Sequence, residues 1–472
     1  MNNKYCDVLV LGGGPGGYAA AIRSARLGLN TVLVEADECG GTCLNRGCIP
    51  SKALIHAGLK HRDLQALATG SGVSGLSISS KPLLDVGQMM DWKNSIVKQL
   101  NGGVNALLKN ANVTVIKGWG RFTDGKTLVV ETINGEQTVV AKNVILATGS
   151  VVTEIPSLPF GLSVMSSADA LNVDEIPSRL IVVGAGYIGI ELGISFHNLG
   201  SKVTFVEAGE RILPGFDKEM IAPVERWLKN EKIEILTHAK AKSVKHGKKQ
   251  TSLDVVTDKN KALTLDAEKI LVTVGRRPNT KNWGLENMAV DMDGAFIKVD
   301  KQLRTSMNGV WAIGDVVGEP MLAHKATAQG ERAAEIIAGH RKEFNPLVIP
   351  AVCFSEPELV AVGLSPDDAK AENIEIISAK FPFDANGRAL TQSHEKGRGF
   401  IRVTARKSDH VIIGVHAVGV HISELSGAFV TAIEMAARLE DVADIIHAHP
   451  TLGEAFPEAA AAALGQPLHM MI

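Results

Sequence analysis

Two strand–glycine turn–helix units, each closed by an acid at the end of the next strand, sit in a chain of 472 residues. They predict an α/β fold with two Rossmann-like domains. A chain of this length forms two to four domains, each able to bury its own core. The third observation is a closely spaced pair of cysteines between the two units.

In the first unit, Asp7 to Leu11 is a short apolar run of the kind buried on both faces of a parallel sheet. Gly12-Gly13-Gly14-Pro15-Gly16-Gly17 follows, and Tyr18 to Leu27 reads as a helix. Gly12, Gly14 and Gly17 fit the spacing GxGxxG. The first glycine permits a tight turn, the second lets the backbone approach a pyrophosphate, and the third allows close helix–strand packing. The helix N-terminus offers free N–H groups and a positive dipole end to phosphate. The next strand, Thr31 to Val34, ends in Glu35, a carboxylate placed for a ribose 2′-hydroxyl.

The second unit repeats this grammar. Leu180 to Val183 leads into Gly184, Gly186 and Gly189, then a helix over Ile190 to Leu199 and a strand over Val203 to Val206 that ends in Glu207. The acid follows the first glycine by 23 residues in both units. One such loop is weak evidence; two in the same context predict a bound dinucleotide. Spacing does not distinguish which unit holds which dinucleotide. Glu207 accepts from a free 2′-hydroxyl and repels a 2′-phosphate, so the second site should prefer NAD to NADP. Arg211 is a weak counter-signal.

Between the units lies Gly40-Gly41-Thr42-Cys43-Leu44-Asn45-Arg46-Gly47-Cys48-Ile49-Pro50-Ser51-Lys52. Thiols placed shortly after a dinucleotide loop predict a disulfide reduced and reoxidised during turnover. With five cysteines in the whole chain, a stabilising disulfide framework is excluded. Cys6, Cys39 and Cys353 have no such context and read as core residues. Neither Cys43/Cys48 nor His447/His449 has a second ligand pair at suitable spacing, so no metal site is indicated. A net charge of −2 without a basic stripe gives no support to nucleic-acid binding. No apolar run has the length of a membrane helix, and the first strand starts too early for a leader peptide. With so few cysteines, a cytoplasmic location is expected.

The thiol run between two dinucleotide units, together with His447-Ala448-His449-Pro450-Thr451-Leu452-Gly453-Glu454 near the C-terminus, resembles the flavin-dependent pyridine nucleotide-disulfide oxidoreductases over nearly the whole chain. Supporting stretches are Val144 to Ser150, Ile270 to Pro278, Val310 to Asp315 and Pro320 to His324, the last of which should begin a helix. The resemblance implies FAD binding over 1–150 and 278–345, NAD binding over 151–277, and a C-terminal α+β dimerisation domain over 346–472. It assigns FAD to Gly12, Gly14, Gly17, Glu35, Thr42, Lys52, Thr148, Gly149, Ser150, Gly314, Asp315, Met321, Leu322 and Ala323. NAD falls to Gly184, Gly186, Gly189, Glu207 and Gly275.

Within that family the likeness is greatest to members that oxidise protein-bound dihydrolipoamide and reduce NAD, working with the lipoyl domains of 2-oxo acid dehydrogenase or glycine cleavage complexes. The implied catalytic residues are Cys43, which meets substrate; Cys48, on the flavin side; His449, the base; Glu454, its partner; and Lys52 paired with Glu191. The family's two-fold homodimer implies that His449 completes the other subunit's site. Pro450 should lie in the first turn of a helix, with Glu454 one turn on, holding His449 or merely capping the helix. His447 and His324 read as structural. Arg46 replaces an apolar residue usual in the family, and it would stabilise a thiolate if it pointed toward the sulfurs, or face solvent otherwise. A glutathione reductase should carry arginines for the NADP 2′-phosphate, and a mercuric reductase a C-terminal cysteine pair; Gly465 to Ile472 has none. A soluble transhydrogenase would lack the thiol pair. A flavoprotein scaffold without catalysis, or an NAD module without flavin, would have no use for Cys43, Cys48 and His449 together.

Overall fold

The computed structural model describes residues 3–73, 75–247, 250–392, 397 and 399–471. Met1 and Ile472, the outer limits of the first and last expected segments, lie outside the described residues. The backbone divides into two compact units. One comprises 1–160, 165–176 and 274–345; the other comprises 161–164, 177–273 and 346–472.

The first unit is built on a seven-stranded sheet. Thr114–Lys117, Thr31–Glu35, Lys4–Leu11 and Gly135–Leu146 lie side by side in parallel, and Val310–Ala312 also pairs in parallel with Gly135–Leu146. Thr127–Thr132 and Trp119–Phe122 extend it antiparallel. Val8, Leu9 and Val10 are completely buried, as a central parallel strand covered on both faces requires. The first helix is Pro15–Arg26, three residues earlier than the apolar periodicity indicates, because Pro15 suits the first helical position after Gly14. It packs backbone to backbone on the helix Ala323–Ile337. A Cβ on Gly16 would lie 2.9 Å from the Ala326 carbonyl oxygen, and one on Gly330 would lie 2.3 Å from that of Gly16.

The second unit contains the parallel strands Glu234–Leu236, Lys202–Val206, Arg179–Val183 and Lys269–Val272, in that spatial order. Its helix Tyr187–Asn198 also starts three residues before the expected position. A three-stranded antiparallel sheet, Ala239–His246, Thr251–Thr257 and Ala262–Ala267, lies in the chain between Glu234–Leu236 and Lys269–Val272. The C-terminal stretch is α+β: five antiparallel strands in the order Ala351–Cys353, Glu358–Gly363, Ile412–Gly419, Phe400–Arg406 and Ile376–Pro382, with the helices Ser426–Glu434, Leu439–Asp444 and Ala455–Ala463. Its core includes Phe381, Phe383, Phe429 and Phe456, the last two meeting edge to face at 5.1 Å between centroids.

A buried ionic cluster ties the helix Lys218–Asn230 to this sheet. Asp217 caps the helix by accepting from the Glu219 and Met220 N–H groups, and it also accepts from Arg402. Arg402 reaches Glu219 at 2.9 Å as well. His416, opposite Arg402 across the two strands, is 3% exposed. Burial first, and the Arg402 charge second, depress its pKa to about 4. Among the described residues, no helix is long and apolar enough to cross a membrane.

Candidate active site: two dinucleotide loops, a thiol pair and a histidine dyad

The two glycine loops have the same backbone. Gly12 and Gly184 have φ of +102° and +96°, in the left-handed region open to glycine. Gly14 and Gly186 precede their helices at φ −67°, ψ −178° and φ −72°, ψ −178°, and neither helix start receives a side-chain cap. Its first N–H groups are therefore left for an anion. A Cβ on Gly186 would meet nothing within 4 Å, and one on Gly14 only the Gly41 Cα at 4.0 Å. These cradles fit a pyrophosphate that approaches the backbone.

The closing acids also match. Glu35 accepts from the Gly13 N–H at 2.6 Å and the Asp37 N–H at 2.8 Å. Glu207 accepts from Ala185 at 2.7 Å and Gly209 at 2.6 Å. Each carboxylate is thus fixed by two backbone donors, and its remaining lone pairs suit a ribose diol.

Cys43 lies in the helix Gly41–Arg46, and Cys48 is the first residue of the 22-residue helix Cys48–Thr69. Both are thiols in this structure, Cys43 partly buried and Cys48 exposed. A hydrogen bond between the two side chains raises the Cys43 pKa most, burial adds to it, and the Lys52 charge opposes both. The segment is docked on the first loop through the Gly40 N–H, which donates to the Gly13 carbonyl at 2.7 Å.

Residues from three distant segments meet at the Gly314 turn. Gly314 itself has φ +77°, and its N–H donates to Gln329 Oε1 at 2.8 Å. The Ser150 hydroxyl donates to Asp315 Oδ2 at 2.5 Å. Arg276 donates to Ser150 twice, from Nε to Oγ at 2.8 Å and from Nη2 to the carbonyl at 2.7 Å. Thr148 and Gly149 are pinned by Asn279: the Thr148 hydroxyl donates to its carbonyl at 2.8 Å, and its N–H donates to the Gly149 carbonyl at 2.9 Å. Met321 and Leu322 precede the helix, which starts at Ala323 and not at Pro320 because a Leu322 with extended backbone occupies the cap position. Gly275 adopts φ +121° and accepts from the Thr153 N–H at 3.0 Å. Thr42 is partly buried in the first turn of the Cys43 helix.

His449 Nδ1 lies 2.8 Å from Glu454 Oε1, while Glu454 Oε2 accepts from the Thr451 N–H at 2.7 Å. One carboxylate thus both orients the imidazole and closes a capping box with Thr451. Burial pushes the Glu454 carboxyl up, but the hydrogen bonds from Thr451 and His449 outweigh it and the net shift is downward. An ionised carboxylate only accepts, so Nδ1 carries the proton and Nε2 is the basic nitrogen. Pro450 is not in a helix. The turn Leu452–Glu454 begins after Thr451, whose capping box sets the start, and the helix proper is Ala455–Ala463.

Arg46 pairs with Asp37 at 2.8 Å, both about half exposed, and so turns to a carboxylate rather than to the sulfurs. His447 Nδ1 bonds locally to the Ile445 carbonyl at 2.9 Å. Cys6 and Cys39 are buried, with burial as the main cause of pKa values near 11, and Cys353 is fully buried. Glu191 is 4% exposed and accepts from the Phe354 N–H at 3.0 Å; Lys52 Nζ reaches the neighbouring Ser51 hydroxyl at 3.5 Å. Sequence reasoning missed Thr451, although Thr-x-x-Glu is a legible cap signal, and missed Arg276, Asn279 and Gln329, for which no local signal exists.

Residues 6–330 match the family model of the pyridine nucleotide-disulphide oxidoreductases, and residues 349–460 match that family's dimerisation domain. A dihydrolipoyl dehydrogenase of Pseudomonas aeruginosa is 49% identical over 98% of each chain. One from Geobacillus stearothermophilus is 45% identical, covering 98% of this chain and 97% of that one. Among solved structures, LpdA from Mycobacterium tuberculosis superposes with a TM-score of 0.88 at 25% identity, covering 97% of this chain and 99% of that one. The HOCl-induced flavoprotein disulfide reductase RclA from Escherichia coli, as its Cu(II) complex, gives 0.86 at 25% identity over 98% and 100%. On its loops, its thiol pair and these matches, the chain belongs to the pyridine nucleotide-disulphide oxidoreductase family.

Proposed function

We propose that the chain oxidises protein-bound dihydrolipoamide to lipoamide and reduces NAD to NADH, with FAD between the two. The hydrogen-bonded Cys43–Cys48 pair, docked on the first dinucleotide loop, carries this reading. Residues 1–150 and 278–345 form the FAD-binding part, 151–277 the NAD-binding part and 346–472 the interface domain. FAD rests on Gly12, Gly14, Gly17, Glu35, Thr42 and the turn from Gly314 to Ala323, and NAD on Gly184, Gly186, Gly189, Glu207 and Gly275.

Turnover starts from the disulfide form. His449 Nε2 takes the proton of one substrate thiol, and the thiolate attacks Cys43 Sγ. The Cys43–Cys48 bond breaks, a substrate–Cys43 disulfide forms, and Cys48 leaves as a thiolate. The second substrate thiol then attacks its partner sulfur and its proton passes to the leaving Cys43 sulfur, so Cys43 departs as a thiol, the lipoamide ring closes, and Cys48 stays a thiolate beside the imidazolium. Held by Gly12, Gly14, Gly17 and Glu35, FAD would supply the two-electron chemistry that links the reduced thiols to NAD. Glu454 holds the His449 tautomer and balances the imidazolium once it forms.

The chain works as a two-fold homodimer in which His449 serves the partner's thiol pair. Its 80% exposure, against 24% for Glu454, suits a residue that reaches outward. The lipoyl domains of a 2-oxo acid dehydrogenase or glycine cleavage complex, in the cytoplasm, are the physiological partners. Anaerobic addition of dihydrolipoamide and NAD to the purified protein should yield NADH, and Cys48→Ser should lower that rate by about 10³-fold or more. Unchanged NADH formation in Cys48→Ser would overturn the thiol assignment.

A further inference from the structure

Asp315, the acid assigned above to the FAD site, sits on a turn whose backbone is braced on two sides. Gly314 N–H donates to Gln329, which is 4% exposed, and Lys325 Nζ donates to the Gly318 carbonyl at 2.6 Å from a side chain that is 6% exposed. These contacts fix the turn but not the carboxylate's own rotation. That is set by the Ser150 hydroxyl, which donates to Asp315 Oδ2. A hydroxyl has one proton and can send it in several directions. Here Arg276 decides: its Nε donates into one of the two lone pairs of Ser150 Oγ, so the hydroxyl proton points away from the guanidinium and toward Asp315. The second Arg276 bond, to the Ser150 carbonyl, holds the guanidinium in the plane that this requires. The antiparallel pairing of Arg276–Pro278 with Ser150–Val152 brings the two residues together.

We infer that Arg276 is a positioning residue for cofactor binding, acting through Ser150 to hold the Asp315 carboxylate in the one orientation that accepts from a polyol hydroxyl of FAD. The inference rests on the proposed FAD site. It makes the strand after the second dinucleotide unit a determinant of affinity at the first. A relay of this kind is directional: removing the arginine frees the hydroxyl, and the carboxylate then loses its fixed donor.

A double-mutant cycle on the full-length chain, stripped of flavin and titrated with FAD by fluorescence quenching, tests it. Arg276→Met should weaken FAD binding by about tenfold, the worth of one charge-assisted hydrogen bond. Asp315→Asn should weaken it at least as much, and Arg276→Met should then add less than about twofold in the Asp315→Asn background. Arg276→Lys, with one donor direction instead of a fork, should recover part of the loss. Ser150→Ala, which leaves every charge in place, should show the same non-additivity with Arg276→Met. If Arg276→Met binds FAD as tightly as the parent, or its effect simply adds to that of Asp315→Asn, the relay is overturned while the FAD site stands. If Asp315→Asn itself binds FAD normally, the assignment of Asp315 fails and the inference falls with it.

Discussion

The two glycine loops bind with the same backbone yet lie in different surroundings. Gly14 and Gly186 differ by about five degrees in φ and share a ψ of −178°, and Glu35 and Glu207 are each held by two N–H groups. Around the first loop the chain is packed tightly. Gly40 bonds back to Gly13, a Cβ on Gly41 would lie 2.6 Å from the Gly14 Cα, and Gly16 abuts the helix Ala323–Ile337. The second loop is tied by the Leu213 N–H to the Ala185 carbonyl at 2.8 Å and is open at Gly186. The motif sets the class of ligand; the packing around it sets how readily the ligand leaves. On the proposed division of the cofactors, the closely packed loop holds FAD and the other holds NAD.

The largest effects should come where the loops are alike. A Cβ on Gly17 would lie 1.8 Å from the Gly12 carbonyl oxygen, and one on Gly189 would lie 2.1 Å from that of Gly184. Gly17→Ala and Gly189→Ala should each destabilise by about 3 kcal/mol or more, measured by chemical denaturation. Acid should next weaken the unit that contains His416. His416 titrates near 4 in the folded chain against an ordinary 6.5, so it is neutral above that range. The unfolded chain takes up a proton there first as pH falls. Stability contributed above pH 6.5 is therefore lost progressively down to pH 4, by at most about 3 kcal/mol. Asp217 and Glu219, whose carboxyls are held below the ordinary range, add their own loss of stability only at more acid pH, below that range. Denaturation at a series of pH values should give a shallower slope in His416→Gln; an unchanged slope would remove His416 from the account.

Substitutions at the open positions should then tell the loops apart. Gly14→Ala should weaken FAD retention by at least about tenfold, while Gly186→Ala should keep its flavin and lose NAD affinity by a similar factor. If both variants lose flavin, the two loops do not divide the cofactors as proposed. The smallest effect should be on selectivity. Glu207→Gln removes the charge that repels a 2′-phosphate and should shift the ratio of NADP to NAD use upward by about tenfold, read from kcat/KM with each.

Much of the site could be read from the chain because its parts are local. A strand, three glycines and a closing acid occupy two dozen residues, and the geometry they impose follows from backbone sterics and helix N–H groups within that window. Cys43 and Cys48 were legible for the same reason, since one short stretch, Gly40 to Lys52, carries both. Local reading failed where the sequence signal was itself short-range but competed with another: Pro450 points to a helix start, yet the Thr451–Glu454 capping box fixes the turn two residues later, at Leu452.

The sequence by itself determined the two Rossmann-like units, the thiol pair and the stretch that holds His449 beside Glu454, each within a single stretch of chain. Only the tertiary structure decided that Arg276 reaches Ser150 across 126 positions, that Ser150 reaches Asp315 across 165, and that Arg402 meets Asp217 across 185. The physical reason is that a hydrogen bond or ion pair depends on distances of about 3 Å. Residue types and spacings encode such distances only within a turn or a helix; between remote segments, strand pairing and packing create them.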